Sequence, residues 1–334
     1  MTASPATDNR RRVWALADDR AGNQSQCLGV ADALGLAYEV KELRYGMGAA
    51  LPNALLGASF AGLDEASRAR LTPPWPDVVI AAGRRTAPVA RKIKRLAGGR
   101  AFLAQVMHPG AGAGEFDLIA APRHDRPRSG ANVVPVTGAP HRLTRARLAA
   151  AAAEWRGRFD DLPKPWIALI VGGSTRRRRF TEAMARELAA RASKMALSAG
   201  GSLLITTSRR TGAATDALLA AVNAPARVHR WPGDEQGDKQ GGGDNPYVGY
   251  LALADAVIVT GDSASMCSEA CATAAPVYIF APPALTVAKH ARLHAELYEK
   301  GYARPLAGAL GPWSHPPLNA AEDVAAAIRD RLGL

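Results

Sequence analysis

A small polar turn between a buried strand and a helix carries the most informative residues of the chain. The apolar run Ala256 to Thr260 predicts a strand of a parallel sheet, and Gly-Asp-Ser-Ala-Ser follows it before a helix. Ligands of open α/β sheets bind at such carboxyl ends, near the free N–H groups of a helix N-terminus. Glu269 comes one helical turn after Ser265, so it can accept both hydroxyls of a ribose while the turn holds phosphate. The alternative is an ordinary crossover, with Asp262 as a helix cap and Glu269 in solvent.

Two further polar turns lie in the same half of the chain. Gly-Gly-Ser-Thr follows the strand Trp166 to Val171 and precedes four arginines, Arg176 to Arg179, while Thr206 to Arg209 ends another strand. Neither a P-loop Lys-Ser/Thr nor GxGxxG spacing is present, so a Walker NTPase and classical dinucleotide binding are not supported. The three turns predict a pocket for a nucleoside diphosphate, with arginine forks on the phosphates. Its candidate ligands are Gly172, Gly173, Ser174, Arg176, Thr206, Ser208, Arg209, Asp262, Ser263, Ser265 and Glu269.

The amino-terminal half offers acid and base groups at strand ends. Asp18, His108 and His124 each follow a predicted strand, and we consider them as general bases on an acceptor hydroxyl. A structural or solvated role is the alternative for each histidine. No metal-ligand spacing and no GxSxG elbow occurs, so neither a metal nor another cofactor is expected. The candidate acceptor ligands here are Asn23, Gln24, Gly83 and Arg84.

The elements that must position these residues alternate between strand and helix in both halves. Such alternation predicts a parallel, doubly wound α/β sheet in each half. Because Asp160 to Pro165 has linker composition, we expect two Rossmann-like domains, residues 1–160 for the acceptor and 161–334 for the nucleotide, facing across a cleft. Gly233 to Asp244 is of low complexity and is predicted to be a surface loop.

Composition limits the classes of protein that fit. The chain has 334 residues, 48% of them hydrophobic and 22% charged, which suits a globular protein of two domains. Three cysteines without a CxxC pair argue against a disulfide framework and fit a reducing cytoplasm. No apolar run reaches the roughly 18–20 residues of a membrane span, and no signal peptide is recognised.

The formal net charge of +12 calls for an anionic partner or reflects an Arg-rich composition. Nucleic acid is not expected, because aromatic residues make up only 6% of the chain and no binding motif accompanies the charge. Arg91, Lys94 and Arg95 have the spacing to share one helix face, which predicts reversible attachment to an anionic membrane surface. The expected location is the cytoplasm, with the inner face of the cytoplasmic membrane as the site of attachment.

Several segments together carry a resemblance to a known family. They are DDRAGNQSQ, DVVIAAGRRTAPVA, FDLIAAPRHD, PVTGAPHRLT, ALIVGGSTRRRRF and NPYVGYLALADAVIVTGDSASMCSEA. From about Val13 to Leu306 the chain resembles the mitochondrial-fission "elongated mitochondria" family, which in turn is similar to the GT-B glycosyltransferases. The turn DDRAGNQ departs from the glycine-rich opening that is usual in GT-B enzymes.

The resemblance implies a metal-independent glycosyltransferase that moves a sugar from a nucleotide-diphosphate donor to a glycolipid or related cell-envelope acceptor. Two alternatives stay open. One is a nucleotide-sugar epimerase of GT-B fold, and the other is a non-enzymatic adaptor, the role known for the plant relatives. Binding of nucleoside diphosphates separates the adaptor from both enzymes.

Overall fold

The computed structural model describes residues 11–231 and 245–334. The predicted loop from Gly233 to Asp244 and the first ten residues lie outside this range. The chain divides into two compact units, which we call the first unit (11–136, 140–142 and 320–334) and the second unit (137–139 and 143–319). This division differs from the predicted boundary at residue 160, and the last helix explains much of the difference, as described below.

The first unit is built on a parallel sheet of six strands in the order β2-β1-β3-β4-β5-β6. The strands are β1 (Val13–Asp18), β2 (Tyr38–Leu43), β3 (Val78–Ala82), β4 (Phe102–Val106), β5 (Leu118–Pro122) and β6 (Val133–Val136). The helices before residue 143 are α1 (Ala21–Leu34), α2 (Asn53–Leu56), α3 (Glu65–Ala69) and α4 (Ala87–Leu96), with short 3-10 turns at Met47–Ala50, Ala113–Glu115 and Arg123–Asp125.

The second unit repeats this plan with the strand order β12-β11-β10-β7-β8-β9. Its strands are β7 (Trp166–Ile170), β8 (Ser202–Thr206), β9 (Ala226–His229), β10 (Ala256–Thr260), β11 (Val277–Phe280) and β12 (Arg304–Pro305). Its helices are α5 (Arg145–Trp155), α6 (Glu182–Ser198), α7 (Ala214–Ala220), α8 (Tyr247–Leu253), α9 (Ala264–Ala270) and α10 (Ala288–Glu299). The pairings are parallel throughout both sheets, which confirms the predicted α/β class.

Both faces of each sheet are covered, because alternate side chains of the apolar strands point to opposite sides. In β1, Val13 and Ala15 join one buried cluster, while Trp14 and Leu16 join the cluster on the other face. The first of these clusters also contains the apolar side of α11 (Ala320–Leu332), which packs beside α1. The chain therefore returns to the first unit after completing the second.

Candidate functional site

Three loops of the second unit meet at the carboxyl ends of the neighbouring strands β10, β7 and β8. The Gly172 N–H donates to Thr260 Oγ1 at 2.7 Å, and the Gly173 N–H donates to Asp262 Oδ2 at 3.0 Å. The Ser174 N–H donates to the carbonyl of Arg210 at 2.8 Å. Since all three amides already have protein acceptors, the hypothesis that these backbone groups cradle a diphosphate does not hold in this arrangement.

The two glycines allow the loops to approach closely. A Cβ on Gly172 would lie 2.5 Å from both carboxylate oxygens of Asp262. A Cβ on Gly173, whose φ is +148°, would lie 2.1 Å from the backbone carbonyl oxygen of Arg210. The glycines are therefore required by the protein itself, and replacing Gly173 with a branched residue would disturb the loops whether or not a ligand binds there.

Asp262 fixes this junction rather than facing solvent. Its side chain is fully buried, and it is ion-paired with Arg210, whose side chain is one-third exposed. The same carboxylate accepts the Gly173 N–H. The sequence predicted that Asp262 contacts the ligand, whereas in the structure its carboxylate holds the glycine loop against the loop after β8. The helix cap is Ser263, whose hydroxyl accepts the Met266 N–H.

The predicted residues after β8 divide into buried and exposed groups. Thr206 is buried, and the Ser208 hydroxyl donates to the carbonyl of Gly172 at 2.7 Å. Arg209 is exposed, while its neighbour Arg210 carries the buried contact. Thr206 and Ser208 thus stabilise the junction, and Arg209 is the predicted ligand of this loop whose side chain is exposed.

Exposed arginines surround the junction. Arg176 to Arg179 are exposed, and the turn that holds them is closed by the Thr175 N–H donating to the Arg178 carbonyl at 2.8 Å. Within the described part of the chain, neither these four guanidinium groups nor that of Arg209 has an acidic partner. We call these five residues the arginine rim. A rim of unpaired guanidinium groups favours binding of an anion such as a phosphate.

Glu269 lies in α9, as predicted, but it is half-buried and already has a partner. The Tyr247 hydroxyl, from α8, donates to Glu269 Oε2 at 2.5 Å. Burial raises the pKa of Glu269 despite this hydrogen bond and the positive charge of Arg147, and burial beside Glu269 raises the pKa of Tyr247. Ser265, in the first turn of the same helix, is also half-buried. The pair of Tyr247 and Glu269 offers a ligand one carboxylate and one phenol.

A buried histidine lies beneath the turn before α9. His294, in α10, is 3% exposed, and a Cβ on Gly261 would lie 2.5 Å from its Cε1 atom. Burial, together with nearby His290, lowers the pKa of His294 to about 4, against the opposing influence of Gly261 and Asp262. The ring is therefore neutral at neutral pH and supports the turn as a packed, uncharged group.

In the first unit, Asp18 is held by three donors at the end of β1. Asn23 Nδ2 donates to it at 2.8 Å, the Arg20 N–H donates at 3.0 Å, and Arg85 forms an ion pair with it. Burial alone would raise the pKa of Asp18, but these hydrogen bonds and the charge of Arg85 lower it overall. A buried carboxylate with a lowered pKa is a weak base, so the structure argues against Asp18 as the general base.

Of the remaining acceptor-side residues around this turn, Asn23 bonds to Asp18 and lies against Gly83. Asn23 and Gln24 lie in the first turn of α1, which begins at Ala21. Gly83 has φ of +86°, and a Cβ there would lie 2.4 Å from Asn23 Nδ2. Gln24 is half-buried. The cluster therefore stabilises the ends of β1 and β3.

Arg84 is exposed but is bound to backbone. Its guanidinium donates to the carbonyls of Ala49 and Leu51 and to the Asn53 side chain. The predicted role in substrate binding gives way to a structural one, because the guanidinium holds the segment after β2 against the end of β3.

The two candidate histidines have different environments. His108 is exposed after β4, and its Nδ1 accepts the Gly110 N–H at 3.1 Å. His124 is buried, 3% exposed, in the 3-10 turn after β5. Of the three candidate bases, His108 is the one whose ring is open to solvent.

The three predicted basic residues of α4 pair with two nearby carboxylates. Arg91 is buried and ion-paired with Glu115, Arg95 pairs with the same carboxylate, and Lys94 pairs with Asp117. These arginines lower the pKa of Glu115, with the hydrogen bond from Arg91 as the largest cause. The charges of this face are therefore engaged by carboxylates of the protein itself, which weakens the argument for membrane attachment here, and the attachment stays a prediction.

The structure joins Gly172, Gly173, Ser208 and Asp262 in one junction of the second unit, and Asp18, Asn23 and Gly83 in one cluster of the first unit. Sequence reasoning missed four residues that shape these sites: Arg85, Arg210, Tyr247 and His294.

In residues 11–231 and 245–334, no group of three or more His, Cys, Asp or Glu side chains is placed to hold a metal ion. No helix in these residues has the length and apolar character needed to cross a membrane.

Comparisons with known proteins agree on a family. Residues 21–332 match the family described as "Mitochondrial fission ELM1". The chain is 32% identical to the mitochondrial fission protein ELM1 of Arabidopsis thaliana over 304 residues, which cover 83% of this chain and 69% of that protein. It is 30% identical to an uncharacterized protein of Rickettsia prowazekii, over 95% of this chain and 97% of the relative.

Among solved structures, the chain is similar to the UDP-GlcNAc 2-epimerase of Methanocaldococcus jannaschii. The TM-score is 0.56 at 11% identity, over 97% of this chain and all of that one (100%). A structure of the same enzyme described as a complex with UDP-GlcNAc and UDP gives a TM-score of 0.53 at 12% identity, with the same coverage of 97% and 100%. At these identities the likeness concerns the fold, and it confirms the predicted GT-B-like class with two Rossmann-like units.

Proposed function

The chain belongs to the mitochondrial fission ELM1 family, and on that premise we propose that it binds a nucleoside-diphosphate sugar and transfers the sugar to a glycolipid acceptor of the cell envelope. The second unit would hold the donor and the first unit the acceptor. The reaction would take place at the cytoplasmic face of a membrane.

The observation that carries this proposal is the arginine rim, whose guanidinium groups at the carboxyl ends of β7 and β8 have no acidic partner among the residues that the structure describes. Arginine forks match the oxygens of a diphosphate, and they would stabilise the negative charge that develops on the leaving diphosphate. Arg176 and Arg209 are the members nearest in sequence to the glycine turn and to the end of β8.

Glu269 would bind the ribose of the same nucleotide. An ionised carboxylate accepts two hydroxyl hydrogen bonds, and Tyr247 holds this one in place through Oε2. The Methanocaldococcus jannaschii epimerase is described in complex with UDP-GlcNAc and UDP, so a nucleotide sugar is a ligand that this fold accommodates. In the first unit, His108 is the candidate general base on the acceptor, because its ring is exposed.

Calorimetry with UDP and the other nucleoside diphosphates tests the donor site. We expect the unmodified protein to bind at least one of them, and Arg176→Gln or Arg209→Gln to weaken binding roughly ten- to hundred-fold, the effect of losing about 1.5–3 kcal/mol from a charge-assisted hydrogen bond. Glu269→Gln should have an effect of the same order.

Arg186→Gln is the matched control, because Arg186 is an exposed arginine of the same unit that pairs with Glu182 on α6. Equal losses in the control and the rim variants would mean that only net charge matters. Absence of binding to every nucleoside diphosphate would contradict the proposal and favour an adaptor. Exchange of the sugar C2 hydrogen with solvent, without an acceptor, would instead identify an epimerase.

A further inference from the structure

A long segment of the first unit contains no charged residue. From Tyr45 to Leu63 the sequence is YGMGAALPNALLGASFAGL. A buried apolar segment would need no explanation, but here Met47 is 96% exposed, Leu55 is 74% exposed and Leu51 is 48% exposed. Single exposed apolar residues are common on protein surfaces, whereas three large ones within nine residues indicate a surface that contacts something apolar.

The backbone of this segment is fixed, so these side chains are presented on an ordered support. Arg84 donates to the carbonyls of Ala49 and Leu51 at 2.9 and 2.8 Å. Asn53, which is buried, donates to the carbonyls of Arg84 and Pro109 at 2.9 and 2.6 Å. These bonds join the segment to the loops after β3 and β4, at the carboxyl edge of the sheet, where ligands of α/β folds bind.

Two positive charges accompany the apolar side chains, and within the described ranges neither has an acidic partner. The guanidinium of Arg84 bonds to carbonyl and amide oxygens, and that of Arg68 bonds to the carbonyls of Leu63 and Ala61 at 3.0 and 3.1 Å. Neutral oxygens satisfy the donors without cancelling the charge. Among the described residues, neither arginine forms an ion pair.

We infer that Met47, Leu51 and Leu55 insert into the outer layer of an anionic lipid membrane, with Arg68 and Arg84 facing the lipid phosphates. Apolar side chains beside unpaired cations are the pattern of proteins that lie on a membrane surface. A protein partner fits less well, because a stable interface uses roughly 20–30 residues a side and three large side chains are few beside that number.

In the proposed reaction, this surface would hold the protein at the membrane. The inference of membrane binding stands independently, and only the identity of the acceptor rests on the proposed function. The acceptor would be a lipid-linked molecule reached at the membrane surface, because the apolar segment lies at the ligand edge of the first unit. The contact replaces the α4 face as the membrane-binding element.

Vesicle sedimentation tests the inference without any nucleotide. We expect the protein to bind vesicles of phosphatidylcholine mixed with phosphatidylglycerol more tightly than vesicles of phosphatidylcholine alone. The triple variant Met47→Ser, Leu51→Ser, Leu55→Ser should lower partitioning by about tenfold or more, because apolar burial dominates such binding. The control Leu197→Ser, which changes a 49% exposed leucine of α6, should bind as the unmodified protein does.

A label shows which surface enters the lipid. The three native cysteines, Cys27, Cys267 and Cys271, are buried, so an environment-sensitive maleimide on Met47→Cys reports on that position. Its emission should shift to the blue on adding the mixed vesicles, and the same label on Leu197→Cys should not shift.

Three results would overturn the inference. They are absence of vesicle binding by the unmodified protein, unchanged binding by the triple variant, and self-association through this segment in place of vesicle binding. Nucleoside-diphosphate binding by the triple variant is measured in parallel. If the triple variant binds nucleoside diphosphates normally but no longer binds vesicles, the inference is supported. If the unmodified protein binds no nucleoside diphosphate, only the proposed function is contradicted.

Discussion

Protonation of His294 should make the second unit sensitive to acid. The pKa of this buried ring is lowered from 6.5 to about 4, so the unfolded chain takes up a proton at a higher pH than the folded chain does. Above pH 6.5 both states are neutral at this position and the histidine has no effect on stability. As the pH falls from about 6.5 to about 4, the unfolded state is favoured progressively, and below 4 the loss is complete.

The size of the effect follows from the two pKa values. Their difference of 2.5 (6.5 − 4) corresponds to about 3 kcal/mol, at about 1.36 kcal/mol per pKa unit. This energy is not reduced for screening by solvent, because His294 is only 3% exposed. Such a loss is a large part of the about 5–15 kcal/mol that stabilises an ordinary domain.

Urea unfolding across this pH range, with peptide-resolved hydrogen exchange in α10, provides the assay. His294→Phe and His294→Gln remove the titrating group, so their free energy of unfolding relative to the unmodified protein should rise by about 3 kcal/mol between neutral pH and pH 4. His108→Gln, a change at an exposed histidine, should leave the pH dependence unaltered. If both His294 variants lose stability in parallel with the unmodified protein, the reasoning is refuted.

Two further predictions concern packing in the second unit. A double-mutant cycle with Asp262→Ala and Arg210→Ala, followed by urea unfolding, should give a coupling energy of about 1–3 kcal/mol, because one partner is fully buried and the other is 33% exposed; independent effects would contradict the ion pair. Gly249→Ala places a Cβ 2.5 Å from the Trp155 ring and should lower stability by about 1–3 kcal/mol, seen as a lower melting temperature. An unchanged melting temperature would mean that the ring moves aside.

The sequence alone predicts a helix or strand well where neighbouring residues define its ends. The ends of the helix Ala87–Leu96 and of the strands Tyr38–Leu43 and Ser202–Thr206 follow from the local sequence, because apolar patterns and nearby glycines define them. The last residue of α1 is followed by Gly35 with φ of 74°, as a left-handed helix cap requires. Helix α10 was not predicted, although its residues are amphipathic.

The candidate site was less predictable because its contacts come from distant parts of the chain. A glycine turn after a strand has the same local pattern whether its amides face a phosphate or a neighbouring loop. Here Asp262 and Arg210 accept the hydrogen bonds that a phosphate would accept, and the sequence around Gly173 does not indicate these partners. Arg209 and Arg210 are adjacent and alike in type, so only the structure distinguishes the exposed one from the one in the ion pair.

The return of the chain to the first unit separates the order of synthesis from the order of folding. The sheet of the first unit leaves the ribosome early, but Ala320, Val324 and Ile328, which cover one of its faces, are made only after the whole second unit. Until then α1 covers that face without α11, and the apolar side chains that α11 buries stay open to water and to other chains. A fragment cut at residue 160 would keep the defect permanently, whereas a fragment that joins residue 142 directly to residue 320 would contain a complete core.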